Sequence, residues 1–176
     1  MWEWLEGVPA IDLTETVRDV RGETVDHLQS AKDLDSWLAA EGDRLPPLPP
    51  GERDVAAWRH LRDAIAAAFA ATMAGEPLPP EAVDRINACA APVVPRLRAG
   101  RREYVPAGSA SALATVAASA IDILGTETRE RLGFCDAPSC GMYFLTTRAD
   151  QHWCSPACGT RARVARHAQR RRATRE

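Results

Sequence analysis

The chain has 176 residues, of which 45% are apolar and 26% charged, and these values are typical of a globular protein with one or two domains. Its longest apolar stretches are too short and too rich in alanine to span a bilayer, which needs about 20 residues. The N-terminus lacks the basic start and apolar core of a signal peptide, so we expect a cytoplasmic protein with no membrane partner.

The net charge of −2 conceals an unequal distribution of charge along the chain. Residues 1–130 contain 13 Lys and Arg against 21 Asp and Glu, whereas residues 131–176 contain 9 Arg against 3 acids. A basic C-terminal segment on an acidic body is typical of nucleic-acid-binding proteins. It would also suit docking on an acidic protein or on the chain's own N-terminal part.

The first part of the chain is predicted to be mainly helical. Residues 1–44 are expected to form a short lead-in followed by helical pieces, one of them capped by Asp35 or Ser36. The proline-rich residues 45–51 must form a loop, because proline fixes φ and lacks a backbone donor. After this loop, apolar residues at helical spacing predict a long amphipathic helix over about 52–74.

Shorter elements are predicted between this helix and the C-terminal cysteines. A second helix is expected over about 81–91, and residues 93–98 and 101–105 are expected to pair as a two-stranded ribbon around Gly100. A helix over about 112–124 carries apolar residues on nearly every face, so we expect it to be buried among other elements.

These elements predict an α+β, helix-rich fold with one domain over residues 1–130 and a small module over residues 131–176. The larger domain has no glycine-rich phosphate loop, no Ser–His–acid order and no His-Glu-x-x-His pattern, so we do not expect an enzyme. Trp37 and Trp58 are predicted to lie in its core. Ligand binding or assembly is the role that we expect of this domain.

Four of the five cysteines lie within 24 residues near the C-terminus. Four residues separate Cys135 from Cys140, thirteen separate Cys140 from Cys154, and three separate Cys154 from Cys158. Two close pairs at this separation suit a tetrahedral site of four thiolates with no open position, which predicts one structural Zn²⁺. Disulfides or free thiols are the alternatives, and His152 is an alternative ligand whose position fits a strand better.

Local signals predict how this module folds around the metal. A tight knuckle is expected at the first pair, and residues 142–145 and 152–153 are expected to form a hairpin that brings the two pairs together. Ser155 followed by Pro156 is a strong helix-start signal, which places Cys158 in the first helical turn. A knuckle, a hairpin and a ligand-bearing helix describe a treble-clef finger. Metal binding would supply most of its folding free energy, on the order of 10 kcal/mol.

The predicted C-terminal helix, from Pro156 to about Ala173, is rich in arginine and contains no acid. Arginine binds phosphate bidentately, so this helix is predicted to contact nucleic acid. The predicted contact residues are Arg161, Arg163, Arg166, Arg170 and Arg171. Four to six such contacts would give a salt dependence of log affinity with a slope of about −4 to −5. Val164 and the alanines beside it are expected to pack on the finger, and a solvated tail is the alternative.

A family resemblance is carried by the segment Trp153-Cys-Ser-Pro-Ala-Cys-Gly-Thr-Arg161. This segment resembles the CGNR zinc fingers of bacterial proteins, which are named for a Cys-Gly-Asn-Arg tetrad. The upstream segments Arg131–Cys135 and Cys140–Phe144 are similar to the first ligand pair of those fingers. The early segment Ile11–Thr16 resembles the start of the ABATE domain that precedes them.

The resemblance implies a transcription regulator with a DNA-binding treble clef behind an N-terminal domain of mixed α and β structure that binds an unknown small ligand. By this resemblance the zinc ligands are Cys135, Cys140, Cys154 and Cys158. Two positions depart from the family pattern: Thr160 stands where the tetrad has asparagine, and Glu15 stands where the early motif has asparagine. The departure at Thr160 concerns the finger, and the departure at Glu15 concerns any binding site for a small-molecule effector in the N-terminal domain.

We therefore predict a cytoplasmic bacterial transcription regulator that binds DNA through its zinc finger. One finger contacts limited surface, so specific binding is expected to need a homodimer or a partner protein. A different hypothesis is a zinc-stabilised interaction module that docks its basic helix on an acidic partner, such as a polymerase subunit. A treble-clef nuclease would need a catalytic histidine and a second metal site, but only His152 and His167 lie near the finger and no Asp/Glu cluster accompanies them.

Overall fold

The computed structural model describes residue 2 and residues 7–20, 23–48, 53–106 and 111–173. Helices dominate, and the strands pair as antiparallel hairpins. In chain order the elements are α1 (Pro9–Thr14), β1 (Val17–Val20), β2 (Glu23–Asp26), α2 (Ala31–Glu41), α3 (Val55–Ala74), α4 (Pro80–Cys89), β3 (Val93–Arg98), β4 (Arg101–Pro106), α5 (Ala112–Gly125), β5 (Leu132–Phe134), β6 (Tyr143–Leu145) and α6 (Pro156–Ala173). None of the described helices is long and apolar enough to cross a bilayer. The predicted helix-rich fold with some strand is confirmed.

The longest helix, α3, is the centre of the main core. Its predicted apolar stripe is buried, from Trp58 to Phe69, and Asp54 caps its start by accepting from the backbone N–H of Ala56 at 2.9 Å. Gly75, at φ 68°, ends it in the left-handed conformation that glycine adopts without strain. The helix begins at Val55, and the predicted start at residue 52 lies outside the described residues.

Helices α1, α4 and α5 pack against α3 around this core. The alanine-rich α5 buries Ala112, Val116 and Ala120, as its sequence predicts, because small side chains let neighbouring helices approach closely. Trp37 of α2 lies edge-on to Trp58, with 5.5 Å between the ring centroids, so both predicted core tryptophans are confirmed.

The N-terminal prediction was incomplete. Residues 17–20 and 23–26 form a hairpin, β1–β2, where only helical pieces were expected. The cap of α2 was also wrong: it is Ser30, which accepts from the N–H of Asp33 while Asp33 accepts from the N–H of Ser30. This reciprocal capping box satisfies two helix-end groups at once, which neither Asp35 nor Ser36 can do from inside the helix.

A partly buried ion pair joins the β1–β2 hairpin to α3. The guanidinium of Arg62, on α3, donates to both carboxylate oxygens of Asp26, at 2.7 and 3.1 Å, and to the hydroxyl of Thr16 at 3.3 Å. Burial raises the pKa of Asp26, but the hydrogen bonds from Arg62 and from the N–H of Leu28 outweigh it and leave the pKa below its ordinary value.

The predicted ribbon around Gly100 is confirmed as the hairpin β3–β4, which pairs Val93 with Pro106 and Arg98 with Arg101. Its two turn residues, Ala99 at φ 46° and Gly100 at φ 73°, are both left-handed, as the tight turn of a two-residue hairpin requires.

Candidate metal centre and the basic helix

The first cysteine pair lies in a knuckle at the end of the hairpin β5–β6. The N–H of Cys135 donates to the carbonyl of Met142 at 2.8 Å, and the N–H of Gly141 donates back to the carbonyl of Cys135 at 3.0 Å. Ser139 and Gly141 have positive φ of 58° and 74°, which turns the chain sharply enough to bring Cys140 beside Cys135.

The predicted strand pairing around the knuckle was wrong. Tyr143–Leu145 pairs with Leu132–Phe134 on its N-terminal side, not with residues 152–153, which are not in a strand. Gly133 permits this pairing because Phe144 lies against it: a Cβ on Gly133 would stand 2.9 Å from the Phe144 ring. The hairpin therefore holds the first ligand pair, instead of linking the two pairs.

The second pair is positioned by the start of α6, as predicted. The helix begins at Pro156, and the N–H of Cys158 donates to the hydroxyl of Ser155 at 3.3 Å. Cys158 thus lies in the first turn, where the helix dipole favours a thiolate.

The two pairs meet in one cluster of four sulfur atoms, all within 4.8 Å of one another. The Sγ of Cys140 lies 3.7 Å from those of Cys154 and Cys158, and the last two are 3.4 Å apart. Four sulfurs around one zinc at 2.3 Å would stand about 3.8 Å apart, so the donor set fits a tetrahedral Zn²⁺ in kind and in spacing. His152 is not a member of the cluster.

Burial and mutual proximity disfavour ionisation of two of these thiols when no cation is bound. Burial raises the pKa of Cys140 to about 12 and raises the pKa of Cys154 as well. Burial also opposes ionisation of Cys158, but side-chain hydrogen bonds from Ser155, Cys154 and Arg161 lower its pKa to about 6. Four thiolates this close repel one another, and a bound dication removes that cost.

The residues after Cys158 each make a specific contact. Gly159 leaves room for the indole of Trp153, since a Cβ there would stand 3.2 Å from the ring. The hydroxyl of Thr160 donates to the carbonyl of Pro156 at 3.1 Å and accepts from the Arg163 guanidinium at 3.0 Å. Arg161 donates to the Sγ of Cys158 at 2.9 Å, and this hydrogen bond raises the pKa of Arg161.

The five predicted contact arginines are all exposed, but they do not share one face of α6. Arg163, Arg166 and Arg170 are spaced three and four residues apart, and with Gln169 they line a shallow groove. Arg166 also lies over Trp153, 5.6 Å from the ring centroid, so its guanidinium is held by a cation–π contact. Arg161 is turned to the metal ligand, and Arg171 is not among the groove's lining residues.

One packing prediction on this helix was wrong. Val164 is 64% exposed and does not pack on the finger, whereas Ala162 is buried against the cysteine cluster. The cause is the helical register: Ala162 follows Cys158 by four residues and shares its inward face, and Val164 lies on another face.

The finger also contacts the N-terminal domain at a position that the sequence did not reveal. The backbone N–H of Tyr143 donates at 2.9 Å to a carboxylate oxygen of Glu15, which is 2% exposed. The Tyr143 ring lies edge-on to Phe69 of α3, with 5.2 Å between centroids. Burial and the Glu15 charge both raise the pKa of Tyr143. Residues 15 and 143 are too far apart in the chain for sequence spacing to predict this contact.

Two family models match the chain. The first is ABATE, described as "Putative stress-induced transcription regulator", and it matches residues 7–127. The second is the CGNR zinc finger, which matches residues 131–171. Neither is a family of enzymes. No curated protein matches the chain.

The second match and the geometry agree on the metal. A CGNR zinc finger whose four thiols converge within 4.8 Å is a four-cysteine site for one structural Zn²⁺. The ligands are supplied by the knuckle and by the start of α6, so the metal joins the β5–β6 hairpin to the basic helix.

Proposed function

The chain belongs to the ABATE family and ends in a CGNR zinc finger, and on that premise we propose that it is a transcription regulator that binds DNA through α6. The observation that carries this proposal is the exposed face formed by Arg163, Arg166 and Arg170. Three exposed guanidinium groups on one face of a helix suit binding to the phosphates of a nucleic-acid backbone, which arginine contacts with two parallel hydrogen bonds.

The zinc site gives this face a fixed position. Cys154 and Cys158 bracket the start of α6, and Trp153 holds Arg166 from the side, so the helix is oriented before DNA arrives. A preorganised face binds more tightly than a flexible tail, because less side-chain entropy is lost on binding. Four thiolates leave zinc no open position, so its role is structural. The knuckle and the ligand-bearing helix support a treble-clef finger.

Among the predicted contact residues, we assign Arg163, Arg166 and Arg170 to contacts with the DNA backbone. Arg171 lies beside this face and contacts DNA at the edge of the interface. Arg161 contributes by holding the ligand Cys158. The division into residues 1–130 and 131–176 is supported by the family matches, which end at residue 127 and begin again at residue 131.

The N-terminal domain takes a small-molecule effector or mediates assembly, and sequence-specific binding requires a homodimer or a partner, since one short helix reads few bases. Regulators of this kind work in the bacterial cytoplasm, where reduced thiols remain available for zinc.

The test is fluorescence anisotropy of the zinc-loaded full chain with a labelled duplex of about 25 base pairs, measured at several salt concentrations. We expect log affinity to fall with log salt with a slope of about −4 to −5. Arg166→Ala combined with Arg170→Ala should make the slope shallower by about 2 and leave the zinc content unchanged.

The matched control combines Arg85→Ala with Arg129→Ala. It removes the same two charges from exposed positions outside the finger and should leave the slope within about 0.5 of the original. Absence of binding at low salt would refute the proposal. Capture of an acidic protein instead, lost in the Arg166/Arg170 variant and retained in the control, would favour the interaction-module hypothesis.

A further inference from the structure

The hairpin β3–β4 stands apart from the rest of the N-terminal domain. Its strands pair along their whole length, but no other described helix or strand makes more than marginal contact with either of them. Val94, near its base, is half-buried, whereas every residue from Pro95 to Arg102 is exposed. A ribbon that stabilises itself without packing on the core is positioned to contact something else.

The hairpin is also basic, unlike the domain that carries it. Residues 93–106 contain four arginines and one acid, Glu103. The remainder of residues 1–130 contains 9 Lys and Arg against 20 Asp and Glu, from totals of 13 and 21. The arginines lie at the turn, and they are Arg96, Arg98, Arg101 and Arg102.

The strand register places arginine on both faces of the ribbon. Cross-strand partners share a face, so Arg96 and the pair Arg98–Arg101 project to one side. Val93 and Leu97 project to the other side, where they are 58% and 80% exposed. Arg102, the cross-strand partner of Leu97, lies on that side too. Leu97, one residue from the turn pair Arg98–Arg101, is therefore available for apolar contact in the midst of the arginines.

We propose that β3–β4 is a second DNA-contacting element, which enters a groove of the duplex with its arginines on the phosphates and Leu97 against the sugars and bases. A two-stranded antiparallel ribbon fits a groove of DNA, and apolar side chains at such tips pack between or against base steps. This inference rests on the proposed function and extends it from the finger to the N-terminal domain.

The arrangement of charge favours DNA over the other occupants. Pairing of the hairpin with the same hairpin of a second copy would bring two arginine clusters together, which like-charge repulsion opposes. An acidic protein would satisfy the arginines but would not require them on both sides of an apolar tip. A duplex offers phosphates on both walls of a groove and apolar surface on its floor.

The experiment uses the full zinc-loaded chain and the same duplex and salt series, and the hairpin contacts should make the native slope steeper than the −4 to −5 expected from α6 alone. Arg96→Ala combined with Arg101→Ala should make the salt slope shallower by about 2 and weaken binding roughly 10- to 60-fold at 0.1 M salt. The Arg85→Ala/Arg129→Ala variant is again the control. Leu97→Gln should weaken binding several-fold with no change in slope, because it removes apolar contact and no charge.

The hairpin contact and the α6 contact can fail separately in this experiment. If the hairpin pair behaves like the control while the α6 pair loses affinity, the hairpin inference is wrong and the finger still binds DNA. If the native chain does not bind DNA at all, both fail together. If Leu97→Gln converts a dimer to a monomer in sedimentation experiments and leaves DNA affinity unchanged, the hairpin serves assembly and the inference is overturned.

Discussion

Each residue of the segment Cys158-Gly159-Thr160-Arg161 makes a distinct contact at the start of α6. Cys158 is a metal ligand, Gly159 admits the Trp153 ring, and Arg161 donates to the ligand sulfur. Thr160, which replaces the family's asparagine, uses one hydroxyl both to bond the preceding turn and to accept from Arg163. Although it departs from the tetrad, Thr160 therefore still places a short polar side chain at the start of α6 and forms hydrogen bonds there.

The contact between Arg161 and Cys158 predicts a role in metal retention. Arg161→Ala removes an N–H donor from the ligand sulfur, and loss of such an outer contact typically lowers metal affinity about 10- to 100-fold. Competition with a chromophoric chelator measures this affinity. Arg163→Ala, which removes the same charge two residues away, should leave zinc affinity nearly unchanged, and equal losses in both variants would contradict the assignment.

In the hairpin β5–β6, which carries the first ligand pair, we predict that Gly133 cannot be replaced by a larger residue without loss of stability. A methyl group on Gly133 would meet the buried ring of Phe144 at 2.9 Å, so Gly133→Ala should destabilise the protein by about 1–3 kcal/mol. Gly125→Ala is the control, because nothing lies within 4 Å of its added methyl group. Urea unfolding measures the stability of the two variants. Equal midpoints would contradict the prediction, because they would show that the hairpin accommodates the added methyl group without loss of stability.

At the scale of elements, long patterns were predictable from the sequence and short ones were not. The apolar stripe of α3 repeats over five turns, and Gly75 marks its end, so its position followed from periodicity. Strands such as β5 and β6 have three residues each, too few for an alternating pattern to identify their partner. For this reason residues 142–145 were paired with residues 152–153 and not with β5.

The candidate site was predictable where spacing alone defines it. The four cysteines and the helix start at Ser155 and Pro156 follow from local chemistry. The different roles of the arginines did not follow from spacing, because they depend on the contacts of Arg161 with Cys158 and of Arg166 with Trp153. The exposure of Val164 was predictable, since Ala162 and not Val164 follows the ligand Cys158 by four residues.

The ion pair between Asp26 on β2 and Arg62 on α3 predicts a pH dependence of stability. Because the folded-state pKa of Asp26 lies below its ordinary value of 3.8, its contribution is fully present above that value and is lost as the pH falls through the folded pKa. Asp26→Asn should therefore lower the free energy of unfolding by about 1–3 kcal/mol at pH 7 and by less at pH 3.

The control for this prediction is Asp35→Asn, which breaks an exposed ion pair with Arg53 at 3.4 Å. Exposed pairs contribute little, so its effect should stay below about 1 kcal/mol at either pH. If Asp26→Asn lowers the free energy of unfolding by as much at pH 3 as at pH 7, the charge of Asp26 is not what stabilises the hairpin.

At the scale of the whole molecule, the finger is packed into the main core and not tethered to it. Leu132 is part of the same apolar cluster as α3 and α5, and Tyr143 and Leu145 pack against it. The buried carboxylate of Glu15 fixes the backbone of Tyr143 from the opposite domain. A change at α1 therefore has a direct physical route to the hairpin that holds the metal.

This packing predicts that the metal stabilises more than the finger. Zinc removal should loosen β5–β6 and expose part of the main core, which lowers the midpoint of thermal unfolding of the N-terminal domain by roughly 5–10 °C. Calorimetry with and without a strong chelator measures the shift. In Tyr143→Ala, where the contact is already reduced, chelation should shift the midpoint less, and an unchanged N-terminal transition in the native chain would show that the domains are independent.

The most direct test of DNA binding by α6 is to recover bound DNA from cells that express the tagged chain and to sequence it. We expect discrete enriched sites near promoters, lost when Arg166 and Arg170 are both replaced by alanine and retained in the Arg85→Ala/Arg129→Ala control. Absence of enrichment over an untagged strain, or sites that persist in the Arg166/Arg170 variant, would contradict DNA binding by α6.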